Sequence, residues 1–336
     1  MSFVSYVLRR IVLIPVLLFA LFTFIFILSH VVPGDPVRAM AGEGATPEQI
    51  ATLEQRYGLD KPLWTQYFAY LSKLVHGDMG ISIYTWRPVL DDLKDYFPAT
   101  VELTLVSMII ALVIGVTLGT VSAVRSGGLL DSGITMVSLV GVTMPQFWLG
   151  MMLQMGLCVY LVRWFPLGGR IAWQAFLQPI TGLYIVDSVL TGNWAALAST
   201  LHHMILPAVT LSFLAVGVYT RITRTALLEV LRQDFMTTAR AVGLPEHRVV
   251  GKALRNAFLP IVTMLGIQFG FLLGGAVVVE AIFDWPGVGL YAAQAALSSD
   301  YPAIMGVTLL FGIVRMSVNL VSDLSYFLAD PRIRET

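Results

Sequence analysis

Long apolar runs alternate with polar segments along the chain, and the runs have the length of membrane-spanning helices. A helix needs about 20 apolar residues to cross a hydrocarbon core of about 30 Å. Six runs meet this requirement, at residues 11–32, 103–124, 134–162, 203–220, 260–283 and 303–327. The pattern therefore predicts an all-α integral membrane protein with six transmembrane helices.

Two apolar segments depart from this simple pattern. Pro145 lies inside the third run, where its ring and its missing N–H should kink or break the helix. Residues 180–190 are apolar but too short to cross a bilayer, and they contain Asp187. We interpret them as interfacial or folded back on the outer side, because a seventh span here would move the basic residues of 221–255 outside.

The first run admits two interpretations. Ala39, Met40 and Ala41 have the A-x-A form of a signal-peptide cleavage site. The apolar run is nevertheless longer than the roughly 7–15 residues of a signal-peptide core. We therefore predict an uncleaved anchor helix with a cytoplasmic N-terminus.

The predicted organisation has three parts. Residues 1–32 form an N-terminal anchor helix, residues 33–97 form an ordered periplasmic segment, and residues 98–336 form the transmembrane core. The periplasmic segment carries two helical patterns, at residues 47–57 and 63–75.

Basic residues determine the predicted orientation, since Lys and Arg are enriched in cytoplasmic loops. The later outer loops hold only Arg163 and Arg170. With the N-terminus inside, the cytoplasmic segments hold Arg9, Arg10, Arg125, Arg221, Arg224, Arg232, Arg240, Arg248, Lys252, Arg255, Arg332 and Arg334. Both termini are therefore predicted to be cytoplasmic.

Composition supports a membrane protein and argues against other classes. The chain is 57% hydrophobic and 12% charged, with a mean hydropathy of +0.77. Its formal net charge of zero gives no indication of a nucleic-acid partner. The single Cys158 excludes an intrachain disulfide and a cysteine-rich metal site, and the five His residues lack metal-ligand spacing, so no metal is predicted.

The stretch of residues 234–260 is a polar segment with the pattern of helix, break, helix, which we call the elbow. Gly243 suits the C′ position of the first helix, and Pro245 suits the first turn of the second. The second helix should have a basic face and an apolar face, formed by Arg248, Lys252 and Arg255 and by Val249, Val250, Ala253 and Ala257. We interpret the elbow as a docking site for another protein; the alternative is a basic loop that only fixes topology.

Polar residues inside the apolar runs are candidates for a substrate pathway. Arg315, Asn319 and Asp323 share one face of the sixth run. A charge at mid-bilayer costs about 3 kcal/mol, so Arg315 should face protein or water. The functional hypothesis is that Arg315 and Asn319 contact the substrate, and the alternative is an internal polar network. Gln154, Gln268 and Glu280 are further candidates for hydrogen bonds between helices, and Gln268 is also a candidate contact along the pathway.

The sequence carries no evident catalytic or energy-coupling site of its own. It has no Walker A motif, no G-x-S-x-G and no cluster of carboxylates and His. Ion-coupled carriers usually place acidic residues at mid-membrane, whereas Glu102, Glu280 and Asp323 lie near the ends of runs. The elbow could instead receive mechanical input from a partner. A stand-alone secondary carrier and a membrane enzyme are the alternatives.

Eleven sequence blocks give the chain a resemblance to a known family. They are PGDPV (33–37), GLDKPLWTQY (58–67), HGDMGIS (76–82), FPATVELTL (97–105), MPQFWLG (144–150), HMILPA (203–208), TARAVGL (238–244), ALRNAFLP (253–260), FDWPGVG (283–289), DYPAIMG (300–306) and DPRIR (330–334). In these blocks the chain resembles the first membrane permease subunit of dipeptide/oligopeptide ABC importers, over essentially its whole length.

The resemblance implies a cytoplasmic coupling loop of this family at residues 226–258, which includes most of the elbow. Thr237, Thr238 and Ala239 stand where the family has E-A-A, and Gly243 is its glycine. The family's leading Glu is absent. A short helix here would dock in a groove of an ATP-binding subunit, with Arg240 as a further contact.

The resemblance also implies a fold, a location and partners. The fold would be that of a type I ABC importer permease in the bacterial inner membrane. The partners would be a second permease, two cytoplasmic ATPases that bind ATP and Mg, and a periplasmic or lipid-anchored binding protein. The chain itself would have no cofactor and no catalytic site. Peptides are the implied substrate, and nickel, glutathione, haem or antimicrobial peptides are the alternatives within the family.

Overall fold

A computed structural model describes residues 3–31, 44–57, 60–160 and 164–329 of the 336-residue chain. Regular structure in these residues is helical, apart from one antiparallel bridge between Ile81 and Pro88. The predicted all-α class is confirmed. Several predicted features lie outside the described residues, namely the A-x-A site, the blocks at 33–37 and 330–334, and the side chain of Asp323.

The chain forms two compact units. The first comprises the described residues of Met1–Ala99 and Pro286–Ser317, and the second those of Thr100–Trp285 and Val318–Thr336. The first unit contains α1 (Phe3–Val31), α2 (Pro47–Tyr57), α3 (Leu63–Val75), the start of α4 (Val89–Val124), α12 (Val288–Leu297) and the first part of α13 (Tyr301–Ala329). The division predicted at residues 32 and 97 stays a prediction.

Aromatic side chains hold α1 and α3 together in the first unit. Phe22 and Phe26 of α1 are buried in one cluster with Met305 of α13. The Phe22 ring stacks on Tyr70 of α3 with centroids 5.9 Å apart, and Phe26 meets Tyr67 edge-on at 5.2 Å. Helix α3 is therefore packed against α1.

The second unit is arranged around α8. It contains the rest of α4, α5 (Leu129–Thr143), α6 (Gln146–Leu153, continued as a π-helix over Gln154–Tyr160), α7 (Tyr184–Leu190), α8 (Trp194–Leu231), α9 (Asp234–Ala241), α10 (Glu246–Asn256) and α11 (Phe258–Ile282). Helix α8 contacts α5, α6, α7, α9, α10 and α11. A displacement of α8 would thus reach every one of these neighbours.

Glycines allow α4 to approach α8 closely. A Cβ at Gly115 would overlap the Cβ of Tyr219, and a Cβ at Gly119 would lie 2.6 Å from the carbonyl oxygen of Thr220. Larger side chains at these two positions would force the helices apart.

The described residues contain five helices long and apolar enough to cross a membrane: Arg10–Leu28, Val89–Val124, Trp194–Leu231, Phe258–Ile282 and Tyr301–Ser322. Helices α5 and α6 form a sixth candidate only as a pair, bent by 104°. The break falls at Met144 and Pro145, so the predicted interruption at Pro145 is confirmed. Helices α4 and α8 also begin well before the predicted apolar runs, because helical hydrogen bonding includes the more polar residues that precede each run.

Candidate functional site

The elbow consists of α9 and α10 joined by a tight turn. The Leu244 N–H donates to the Ala239 carbonyl at 3.2 Å, and the Gly243 N–H donates to the Arg240 carbonyl at 2.9 Å. This pair of bonds is a Schellman motif, which needs a left-handed residue at C′. Gly243 supplies it with φ of +82°, as the sequence predicts. Pro245 is the residue before α10 rather than part of its first turn, which corrects the predicted position by one residue.

Buried apolar side chains fix the elbow to the membrane helices. Met236 of α9 and Val249 and Ala253 of α10 are buried in one cluster with Leu227 and Val230 of α8. The predicted apolar face of α10 is therefore the face that packs inward. Since this contact is a packed core, the elbow should move together with α8.

The opposite side of the elbow is open. Thr237, Thr238 and Arg240 are exposed, and Ala239 is half-buried. Val242 is 77% exposed and Phe235 is 45% exposed. An open groove of about 500 Å³ runs along this side, and we call it the elbow groove; it is lined by Phe235, Met236, Thr238, Ala239, Val242, Leu244, Lys252, Arg255 and Asn256.

Charges surround the elbow groove. Arg248, Lys252 and Arg255 are exposed on α10, as the sequence predicts. Arg240 Nη2 donates to Glu246 Oε1 at 2.9 Å across the turn. This hydrogen bond raises the pKa of Arg240 and lowers the pKa of Glu246, and both side chains remain exposed to solvent. Arg240 thus braces the turn in this structure.

A second candidate site lies where α6 begins after the break. A pocket of about 280 Å³ there, which we call the amide pocket, is lined by Gln146, Leu214, Gln268, Gly270, Phe271, Leu272, Gly274 and Gly275. Gln268 was a pathway candidate from sequence, and it is buried in the middle of α11. Sequence reasoning missed Gln146, although its position directly after Pro145 was a usable signal.

The other two pathway candidates lie on α13. Arg315 is half-buried and belongs to the first unit, whereas Asn319 is exposed and belongs to the second. Asn319 does not line the amide pocket of its own unit. The structure therefore brings Gln268 together with Gln146, and it does not bring Asn319 to that pair.

Comparison with known proteins identifies the family. Residues 115–335 match the family described as "Binding-protein-dependent transport system inner membrane component", and residues 3–104 match its N-terminal family. The chain belongs to this family of transport components. The resemblance drawn from the sequence blocks is confirmed.

Proteins similar to this chain are named as permeases of dipeptide, D,D-dipeptide and glutathione transport systems. The chain is 42% identical over 339 residues to the dipeptide transport system permease protein DppB of Escherichia coli (strain K12), covering 98% of both chains. It is 42% identical to the probable D,D-dipeptide transport system permease protein DdpB of the same strain, covering 92% of this chain and 91% of the relative. It is 38% identical to the glutathione transport system permease protein GsiC of Escherichia coli O6:H1, covering 98% and 99%.

An ion pair ties α8 of this transport component to α5 near the elbow. Arg224 Nε and Nη2 donate to the two carboxylate oxygens of Asp131 at 2.7 and 2.8 Å. Asp131 is buried and also accepts from the Ser122 hydroxyl and, at 2.9 Å, from the Gly127 N–H. The sequence pattern assigned Arg224 only to topology. The bidentate pair gives α8 a fixed position relative to the start of α5.

A second ion pair, also missed from sequence, lies between α4 and the segment before α7. Arg170 Nη2 donates to Glu102 Oε2 at 2.6 Å and to the Gly182 carbonyl at 2.7 Å. The other carboxylate oxygen of Glu102 accepts from the Ile185 N–H at 2.6 Å. The guanidinium lies 3.7 Å from the centre of the Tyr184 ring. Arg170, predicted as an outer-loop charge, is thus part of a buried network.

Asp187 stabilises the turn that leads into α7. Burial alone would raise its pKa, but hydrogen bonds from the Thr181 hydroxyl and the N–H groups of Thr181, Ile180 and Gly182 outweigh it, and the pKa is lowered. The ionised carboxylate therefore organises residues 180–182. The apolar segment of residues 180–190 is an ordered turn and a short helix.

Proposed function

We propose that the chain is a permease subunit of an ATP-driven importer that carries di- and oligopeptides across the inner membrane. The observation that carries the proposal is the elbow, which presents an open, partly apolar groove to one side and is packed onto α8 on the other. Membership of the binding-protein-dependent transport family and the names of the peptide permeases that resemble it support this function.

Energy enters through α9 in this proposal. A partner ATPase contacts the exposed side of the elbow at Thr237, Thr238, Ala239, Arg240 and Gly243. Its movement is passed through Met236 and Val249 to α8, which contacts α5, α6 and α11. ATP and Mg are bound by the ATPases, and this chain carries out no hydrolysis itself.

The remaining assembly follows from the same proposal. A second permease chain completes the pathway, two ATP-binding subunits lie on the cytoplasmic side, and a binding protein delivers substrate from outside. The basic cytoplasmic segments support an orientation with both termini inside. Gln268, Arg315 and Asn319 are proposed contacts along the pathway.

Reconstitution tests this function. The complete complex is placed in proteoliposomes, and uptake of dipeptides, tripeptides, glutathione and nickel is measured with each subunit omitted in turn. The proposal predicts peptide uptake that requires ATP, both permeases and the ATPases. Uptake of nickel without peptides would refute the substrate, and uptake by this chain alone would refute the mechanism.

A further inference from the structure

The amide pocket lies beside a broken helix and reaches the middle of a long one, as substrate sites in membrane transporters often do. It lies beside the break between α5 and α6, where Gln146 is the first residue of α6, and it reaches Gln268 in the middle of α11. Discontinuous helices form substrate sites near the bilayer midplane in many transporter folds. Its volume of about 280 Å³ is close to the lower limit of about 300 Å³ for small-molecule sites.

Gln268, which lines this pocket, has a buried acceptor without a partner in the described part of the chain. Its side chain is 5% exposed, and its Oε1 has no hydrogen-bond partner among the described residues. A buried acceptor without a partner costs about 1–3 kcal/mol. Apolar side chains occupy most of α11, and a glutamine would weaken the packing there unless a ligand satisfied it.

Gln146 lies against α11 at a glycine. A Cβ at Gly275 would overlap the Oε1 of Gln146, so a larger residue there would require the amide of Gln146 to move. Gln146 Nε2 lies 3.5 Å from the Leu211 carbonyl, which is long for a hydrogen bond. Its amide therefore retains donor capacity for another group.

The chemistry of the lining suits the uncharged, polar part of a ligand. Of the described residues that line the pocket, none is charged, and the polar side chains are the two glutamines. A carboxylate or ammonium group would lose its hydration here without meeting a counter-charge, so the charged ends of a peptide should stay at the open side of the pocket. A peptide bond instead offers one N–H donor and one C=O acceptor, which two amide side chains can satisfy.

We propose that Gln146 and Gln268 hold a peptide bond of the substrate during its passage. Gln268 Oε1 accepts from the substrate N–H, and Gln146 Nε2 donates to the substrate carbonyl. The site recognises the peptide backbone and not the side chains, so it can bind peptides of different sequence. This inference rests on the proposed import of peptides and adds the residues that recognise them.

An atom-specific comparison tests the inference in the reconstituted complex. Uptake kcat/KM is measured for alanyl-alanine and for its ester analogue, in which oxygen replaces the peptide N–H. Both are measured with the same binding protein, so its own preference is common to every variant. One hydrogen bond of ordinary strength corresponds to about a fivefold ratio. Gln268→Met should reduce the peptide-to-ester ratio by about this factor.

Two further variants complete the test. Gln146→Met should lower kcat/KM for both compounds and leave their ratio near the wild-type value, because it contacts the carbonyl that both share. Thr117→Val, which removes an exposed hydroxyl bonded only to the Val113 carbonyl of α4, should change neither quantity. An unchanged peptide-to-ester ratio in Gln268→Met would overturn this inference and would leave the proposed import of peptides unaffected. A wild-type complex that imports neither compound refutes the proposed substrate, and the inference with it.

Discussion

The buried pair of Glu102 and Arg170 leads to the sharpest stability prediction. Their side chains are 5% and 6% exposed, and the carboxylate also holds the Ile185 N–H. Glu102→Leu would leave the guanidinium buried beside Tyr184 without its counter-charge. Removing one partner of a buried ion pair costs about 3–5 kcal/mol. We expect the free energy of unfolding to fall by that amount.

Chemical unfolding of the purified chain in mixed micelles measures this loss. The double variant Glu102→Leu/Arg170→Met removes both charges, and replacing a whole buried pair by apolar residues is often close to neutral. It should therefore recover most of the stability, which gives a coupling of about 2 kcal/mol or more in the double-mutant cycle. The loss should also change little with salt, because screening acts mainly on exposed charges.

A small effect would refute this reasoning. Exposed ion pairs contribute about 0–1 kcal/mol. If Glu102→Leu loses less than 1 kcal/mol, or if the two single losses simply add in the double variant, then the pair is not the buried, coupled interaction that we describe.

Three other predictions concern the elbow and the turn that leads into α7. Val242→Asp places a charge in the elbow groove and should weaken ATPase binding at least tenfold, measured by co-purification, whereas Val75→Asp, equally exposed at 77%, should not. Gly243→Ala should lower the free energy of unfolding by about 1–2 kcal/mol through its positive φ, and Gly251→Ala in α10 should raise it by about 0.5–1 kcal/mol. The pKa of Asp187 is lowered on folding, so its contribution is present above about pH 4. That contribution is lost as the pH falls further, and the stability difference from Asp187→Asn should shrink there.

Each of these predictions has a contradicting outcome. If the Val242→Asp and Val75→Asp variants bind the ATPase equally well, the ATPase does not contact the elbow groove. A neutral Gly243→Ala would show that the left-handed turn is not required. A difference between wild type and Asp187→Asn that grows below pH 4 would reverse the sign that we assign to the carboxylate.

The parts of the fold that follow local rules were predictable from sequence. The apolar runs, the break at Pro145 and the turn at Gly243 depend on residues within a few positions of each other. The two faces of α10 follow from the helical period, and Val249 is buried while Arg248 is exposed, as predicted.

The interactions that were missed join residues far apart in the chain. Arg224 lies 93 positions from Asp131, and Arg170 lies 68 positions from Glu102. Nothing in the pattern chooses one distant partner over another, because several charges lie at similar depth. For the same reason the sequence identified Gln268 in the amide pocket but not Gln146. Gln146 and α11 are far apart in the chain and come together only when it folds.

Peptide uptake by the complete complex in proteoliposomes, with ATP or with a non-hydrolysable analogue at the ATPases, tests most directly whether this chain is driven by its partners. We expect uptake with ATP and none with the analogue, at equal complex content. Uptake that continues at the same rate with the analogue would show that the chain transports without hydrolysis by its partners, and the proposed mechanism would then be wrong.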